Sequence, residues 1–294
     1  MKILCVIVLY KTSLFDSNSF IECANHAIQD HDFKLYVYDN SPVPLHSVEE
    51  LRQLNIEYVA DMSNSGVSRA YNMAAKYARN SGYEWLLLLD QDTTFQDNGY
   101  IKVCKRIIEN FQYVLYVPLV KKVNGNYFSP QWMKRHIPMS AITVTDRAYP
   151  LKNVSVINSG LLINVDVFLQ AGGYNENVPL DLADYQFIER LSKNIDTFYL
   201  MKYVLYQSFS NDVDCINTLE FRFKSYCVSS LHYDADFISK CDILFTMIKR
   251  CASLIYRTKR LYFLWIMLKT IVRLIFPSKT TRVKRSIDSS DSIV

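Results

Sequence analysis

Ile3-Leu4-Cys5-Val6-Ile7-Val8-Leu9-Tyr10 is an unbroken apolar run with the length and branching of a central strand covered on both faces. The apolar positions then change to helical spacing, with Phe20, Ile21, Ala24, Ala27 and Ile28 recurring over residues 16–29. Phe33-Lys34-Leu35-Tyr36-Val37-Tyr38 predicts a second strand, ended by the turn-forming Asp39-Asn40-Ser41-Pro42. Residues 56–59 predict a short third strand. Ala70, Met73, Ala74, Tyr77 and Ala78 share one face of a helix over 67–80, stopped by Ser81-Gly82. Leu86-Leu87-Leu88-Leu89 predicts the next strand. Strands alternating with helices imply a mostly parallel, doubly wound α/β sheet with crossover helices on both faces, and place Asp39 and Asp90 at one edge of it.

The leucine run ends in Asp90-Gln91-Asp92. Burying unpaired carboxylates costs several kcal/mol, so both acids are expected to face a hard cation, a polar ligand or water at the carboxyl edge, where open α/β sheets bind ligands. Asn64-Ser65-Gly66 opens the helix over 67–80, so backbone N–H groups and Arg69 are placed to approach an anion; Asn64 reads equally as an N-cap. Asp181-Leu182-Ala183-Asp184 introduces a helix over 184–191, with Asp181 as its N-cap and Asp184 in its first turn. Residues 121–150 read as a long polar and aromatic loop carrying Tyr127, Trp132, Lys134, Arg135 and His136, either lining a ligand or simply solvated.

A chain of 294 residues, half of them hydrophobic and few of them Gly or Pro, suffices for one large core or two smaller ones. The seven cysteines are odd in number, scattered and never in C-x-x-C spacing, which argues against a zinc site and a disulfide framework and for a reducing cytoplasm. The N-terminal apolar run lacks the marks of a secretory signal.

Charge divides the chain. Eleven of the 33 Lys and Arg fall within residues 243–285, where there is no Asp or Glu; the remainder carries 22 basic residues against 29 acidic. Aromatic and aliphatic residues are dense in the same stretch, yet no uncharged run approaches the roughly 18 residues that span a bilayer. A basic amphipathic helix lying on a membrane surface with anionic lipids is expected, the alternative being a helix packed on the body with a solvated basic face. The apolar fraction argues against nucleic acid. The expected division is a catalytic domain over 1–210, a helical membrane-associating region over 211–285 and a disordered tail over 286–294.

Six elements occur in order: Asp39-Asn40-Ser41, Asn64-Ser65-Gly66 running on to Arg69 and Asn72, Asp90-Gln91-Asp92, Asn158-Ser159-Gly160, Ala171-Gly172-Gly173-Tyr174-Asn175-Glu176, and Asp181-x-x-Asp184 followed by Phe187 and Arg190. Together, over roughly residues 3–210, they resemble the inverting glycosyltransferases of family 2, which have the GT-A nucleotide-sugar-binding fold, and within it the branch of bacterial rhamnosyltransferases and O-antigen glycosyltransferases. The resemblance implies that Asp92 binds Mn²⁺ or Mg²⁺, and that Asp90 contacts the ribose or the metal shell. It further implies that Tyr10 and Asp39 hold the nucleotide base, that Asn64, Gly66 and Arg69 approach the diphosphate, and that Asp184 is the base, with Asp181 capping or touching the acceptor.

Two departures from that pattern bear on the donor. Gln207 stands near the point where related enzymes carry a metal-ligating His, and the Tyr226-Cys227-Val228-Ser229-Ser230 segment lacks the Arg-Asn pair of the rhamnosyltransferases. The first leaves metal binding mainly to Asp92; the second tilts the expected donor toward a UDP-hexose such as UDP-glucose, giving a β linkage, rather than dTDP-rhamnose. The expected acceptor is GlcNAc or GalNAc linked to a polyprenyl diphosphate in O-antigen (lipopolysaccharide) biosynthesis, at the cytoplasmic face of a bacterial inner membrane. Two other classes compete. An aspartate-dependent phosphatase would use Asp90 as nucleophile, but the later Gly-Asp-x-x-x-Asp motif it needs is missing from the sequence. A non-catalytic nucleotide-sugar-binding scaffold would leave the acid set without a purpose.

Overall fold

The computed structural model describes residues 1–110, 112–123, 125–207 and 215–275, apart from the side chains of 25–29 and 273–275. The expected tail at 286–294 and the end of the basic region, 276–285, lie outside the described residues. The chain divides into two units, Met1–Asp212 and Val213–Val294.

The first unit begins β1 (Ile3–Leu9), α1 (Asn18–Gln29), β2 (Phe33–Asp39), α2 (Val48–Gln53), β3 (Ile56–Ala60), α3 (Val67–Asn80) and β4 (Trp85–Asp90). It continues with β5 (Thr94–Phe95), α4 (Tyr100–Asn110), β6 (Leu115–Lys122), β7 (Tyr127–Ser129), β8 (Gln131–Lys134), β9 (Ile137–Ala141), β10 (Arg147–Pro150) and β11 (Val154–Ser155). β12 (Leu161–Asn164), α5 (Val165–Gln170), α6 (Ala183–Leu191) and β13 (Thr197–Gln207) complete it. The main sheet runs β10-β13-β6-β12-β4-β1-β2-β3, with β5 on β13 and β7 on β6; β11, β8 and β9 form a small separate sheet. β4, β1, β2 and β3 are mutually parallel, whereas β12 enters antiparallel between β4 and β6.

All seven residues of β1 are buried because both of its faces are covered. Leu4, Val6 and Val8 join a core with Ala70, Ala74, Ala75 and Ala78 of α3, while Ile3, Cys5, Ile7 and Leu9 join one with Ile101, Cys104, Ile107 and Ile108 of α4. That is why the strand is continuously apolar instead of alternating. Each such buried aliphatic side chain contributes about 2 kcal/mol of burial free energy. In register, Leu9 pairs with Asp39 and Val8 with Asp90, so β2 and β4 deliver their acids to the same edge on either side of β1.

The stretch 121–150, expected as a loop, instead contains β7, β8, β9 and β10. Tyr127, Phe128, Trp132 and Tyr149 are strand formers, but each strand spans only three to five residues, too short for its alternation to stand out.

The described residues of the second unit form three helices, α7 (Ile216–His232), α8 (Phe237–Thr258) and α9 (Tyr262–Ile275). Asp236 caps α8 by accepting from the Ser239 N–H at 2.8 Å, and Lys259 ends it in the left-handed conformation with φ 58°. Phe223 of α7 meets Phe263 of α9 edge-on, ring centres 5.7 Å apart. No helix among the described residues is long and apolar enough to cross a membrane. The seven cysteines are free thiols.

Candidate active site

Asp90 ends β4 at the centre of a polar hub. Its Oδ1 accepts from the Tyr71 hydroxyl at 3.3 Å and from Asn158 Nδ2 at 3.2 Å. Its Oδ2 accepts from the Ser159 hydroxyl at 2.5 Å and from Gln207 Nε2 at 2.8 Å. Ser159 Oγ also lies 2.8 Å from Gln207 Oε1, so its single proton serves either acceptor. Gly160 makes this convergence possible: with φ 80° it turns where a Cβ would overlap the side chains of Leu205 and Pro118, and its N–H donates to Leu88 O at 2.8 Å. Four donors fill the roughly four acceptor positions of a carboxylate. In this geometry the lone pairs of Asp90 organise the hub.

Asp92 is the exposed member of the pair. Protein crowded around it removes part of its solvation, and Asp90 adds negative charge, which together push its pKa up to about 6; its own backbone N–H and the Gln207 amide pull the other way. Gln207 therefore acts on both acids. Among the described residues no three His, Cys, Asp or Glu side chains converge as a metal cluster. What the site offers a cation is one open carboxylate whose ionised form is short of positive charge. That donor set fits Mn²⁺ or Mg²⁺ completing its shell with ligand phosphates and water.

Gln91, between the two acids, was not among the residues singled out in the sequence. Its Oε1 accepts from the Tyr10 N–H at 2.7 Å, tying the end of β4 to the end of β1. Ser17 donates to Gln91 O at 2.9 Å and Ser19 to Asp90 O at 2.5 Å, so the start of α1 fixes the same backbone. The Tyr10 ring is left 39% exposed at the ligand edge. Asp39 differs: it is 1% exposed, closes an Asx turn by accepting from the Ser41 N–H at 2.8 Å, and accepts from the Tyr58 hydroxyl at 2.7 Å.

The start of α3 is also engaged. Gly66, not Asn64, occupies its N-cap position, with φ 93°, and Asn64 sits in the preceding turn with φ 52°. The Val67 N–H donates to Pro179 O at 2.9 Å and the Ser68 hydroxyl to Val178 O at 2.5 Å. A Cβ on Gly66 would overlap the Pro179 carbonyl, so this glycine serves close packing of α3 against the 178–179 turn. Gly66→Ala is expected to cost more than about 2 kcal/mol through left-handed strain and that overlap, read as a lowered denaturant midpoint. Arg69 pairs with Glu176 at 3.7 Å, both half-exposed. Asn72 holds the glycine turn of the fifth motif, donating to Tyr174 O and accepting from the Tyr174 N–H, each at 2.9 Å.

Asp184 lies in the first turn of α6, but the N-cap is Leu182 with φ 67°, which corrects the expected capping by Asp181; Asp181 is buried. The phenols of Tyr71 and Tyr174 are pushed well up, first by complete burial and then by the negative charges of Asp90 and Asp184 together. Their rings are 5.4 Å apart. Two acids separated by 94 positions in sequence thus act by charge on one buried tyrosine pair.

The family model for Glycosyl transferase family 2 matches residues 6–170, more than half of the chain. The chain belongs to glycosyl transferase family 2. A relative, the dTDP-rhamnosyl transferase RfbF of Shigella flexneri, is 25% identical over 128 residues, which is 43% of either chain, so the match spans less than half of that relative. TarS 1-349 of S. aureus, solved in complex with UDP-GlcNAc, covers 92% of this chain and 79% of its own at 16% identity and a TM-score of 0.57. The mannosyltransferase PcManGT from Pyrobaculum calidifontis, in complex with GDP-Man and Mn²⁺, covers 100% and 81% at 9% identity and a TM-score of 0.51. These likenesses show the GT-A fold for this family 2 chain.

Proposed function

We propose that this glycosyltransferase moves a hexose with inversion from a pyrimidine nucleotide sugar, with UDP-glucose preferred, to an amino sugar on a polyprenyl diphosphate. The observation that carries the reading is the pair of acids whose charges reach one buried tyrosine pair: an Asp90 held by four donors at the end of β4, two residues before Asp92, and Asp184 in the first turn of α6. A cation held by Asp92 would neutralise the departing diphosphate. Asp184 takes the acceptor hydroxyl's proton as that oxygen bonds to the anomeric carbon, and the bond from the anomeric carbon to the diphosphate breaks on the opposite face. Tyr10 supplies an aromatic wall for the base, with Asp39 behind it. A phosphatase would need Asp90 as nucleophile, yet all its oxygen positions are occupied by donors.

Rhamnosyl transfer from dTDP-rhamnose is the second reading, favoured by the RfbF relative. The acceptor reading draws support from the basic, aromatic-rich second unit, which suits work at the cytoplasmic face of an inner membrane on the O-antigen route. The test is incubation with Mn²⁺, a GlcNAc-diphosphate-lipid and, separately, UDP-glucose, UDP-galactose or dTDP-rhamnose, followed by product mass. A gain of one hexose is expected with UDP-glucose; a deoxyhexose gain would move the reading to rhamnose, and no transfer from any donor would sink it.

A further inference from the structure

α8 and α9 of the second unit each carry two apolar faces. α8 buries Ile243, Met247, Cys251 and Leu254, yet Ile238, Phe245, Ile248 and Tyr256, at helical spacing on another face, stay 54–79% exposed. α9 buries Phe263, Ile266 and Met267, while Leu261, Leu264, Leu268 and Val272 form an outward stripe that is 40–71% exposed. Beside this stripe, a groove of about 290 Å³ opens between α7 and α9. Phe221 and Lys224 form one wall, and Tyr262, Trp265 and Lys269 the other, with Asn217, Glu220 and Thr270 as its remaining polar lining. Tyr262 and Trp265 stack at 5.1 Å, and the Lys269 ammonium stands 4.0 Å from the Trp265 ring centre. Glu220 offsets one of the two lysines, so the groove is net positive.

Aliphatic residues in a line, aromatic rings at their border and ammonium groups beside the rings reproduce the layering of a bilayer surface from acyl chain to phosphate. A second copy is a poorer occupant. α9 contains no acid and follows Lys259-Arg260, so a two-fold contact between like stripes would bring cations together. An anionic surface complements that charge.

We propose that the outward stripe of α9 docks on a bilayer containing anionic phospholipid, with the α7–α9 groove receiving one lipid phosphate between Lys224 and Lys269. The proposal names the surface by which the membrane partner suggested above is engaged, and it does not depend on the transfer reaction. Flotation of the full chain with phosphatidylcholine vesicles, with or without phosphatidylglycerol at three lipids in ten, tests it without donor or acceptor. At least tenfold stronger binding to the anionic vesicles is expected. Lys224→Gln with Lys269→Gln should weaken binding about thirtyfold, at two surface cations removed. Leu264→Ser with Leu268→Ser should abolish it, while both double variants keep the helical circular dichroism of the parent.

Equal binding to both vesicles, or unchanged binding of the lysine variant, would overturn the proposal. So would displacement by inorganic phosphate beyond that caused by chloride of equal ionic strength, which would assign the groove to a free anion. A dimer in sedimentation velocity that Leu268→Ser dissolves would assign the stripe to a second copy. Vesicle binding by a chain that transfers no sugar would leave this inference standing and remove the transferase reading; transfer without vesicle binding would do the reverse.

Discussion

Asp92→Ala is expected to lower kcat/KM for glycosyl transfer by roughly 10³-fold or more, the scale of removing one preorganised electrostatic contact at a departing oxyanion. The same change should leave the fold as stable as before, or slightly more so. The reason is the direction of its pKa. Asp92 is raised to about 6 by lost solvation and by Asp90, so its ionised form is less favourable in the folded chain than in the unfolded one. In the metal-free protein its charge therefore opposes folding at neutral pH, and that opposition disappears as pH falls through about 6 toward the ordinary carboxylate range. Denaturant midpoints of metal-free parent and Asp92→Asn, measured at pH 5 and pH 7.5, should show a smaller loss at the higher pH for the variant. A cation competes with the proton on this carboxylate, so Mn²⁺ affinity by calorimetry should fall about tenfold per unit below pH 6. An Asp92 variant that retains activity, or that unfolds markedly earlier than the parent, would make the acid structural.

What the chain reveals before folding follows the range of the interactions involved. β1, β2, β4 and α3 were legible because burial on two faces of a strand, or one face of a helix, leaves a local period in the apolar residues. The position of Asp39 and Asp90 at one edge followed from parallel alternation alone. The partners of Asp90 were less legible, since Tyr71, Asn158, Ser159 and Gln207 are 19, 68, 69 and 117 positions away and meet only through the sheet order. Asn158 and Ser159 did stand in a quoted motif, but nothing local says that their side chains turn toward β4. Gly66 and Asp181 show the converse. Each stands in a context that the local sequence does not show: beside Gly66 the Val67 N–H donates to Pro179 O, and the left-handed Leu182, not Asp181, is the N-cap of α6. The strands of 121–150 escaped for want of length, and the second face of α8 and α9 looked like simple amphipathicity until burial separated inner from outer positions.

Asp184→Asn should reduce transfer by about 10²- to 10⁴-fold, the worth of a positioned general base, while donor binding changes by less than about twofold. Asparagine keeps the shape and the first-turn position at the head of α6 but cannot accept the acceptor's proton. The alternative role, an acid favouring the positive end of a helix, is worth about 0.3–1 kcal/mol and would show as a small loss of stability with kcat unchanged. The two roles therefore separate on two independent readouts. Asp90 provides the internal comparison: its charge reaches the same Tyr71 and Tyr174, but four donors hold it, so Asp90→Asn should damage folding and donor binding together. A base acts only once acceptor is present. Slow hydrolysis of the donor by water should therefore persist in Asp184→Asn more than transfer does, whereas Asp92→Ala should lose both, because the diphosphate must leave in either reaction. Equal loss of hydrolysis and transfer in Asp184→Asn would place this carboxylate on the donor side and take the proton-accepting role away from it.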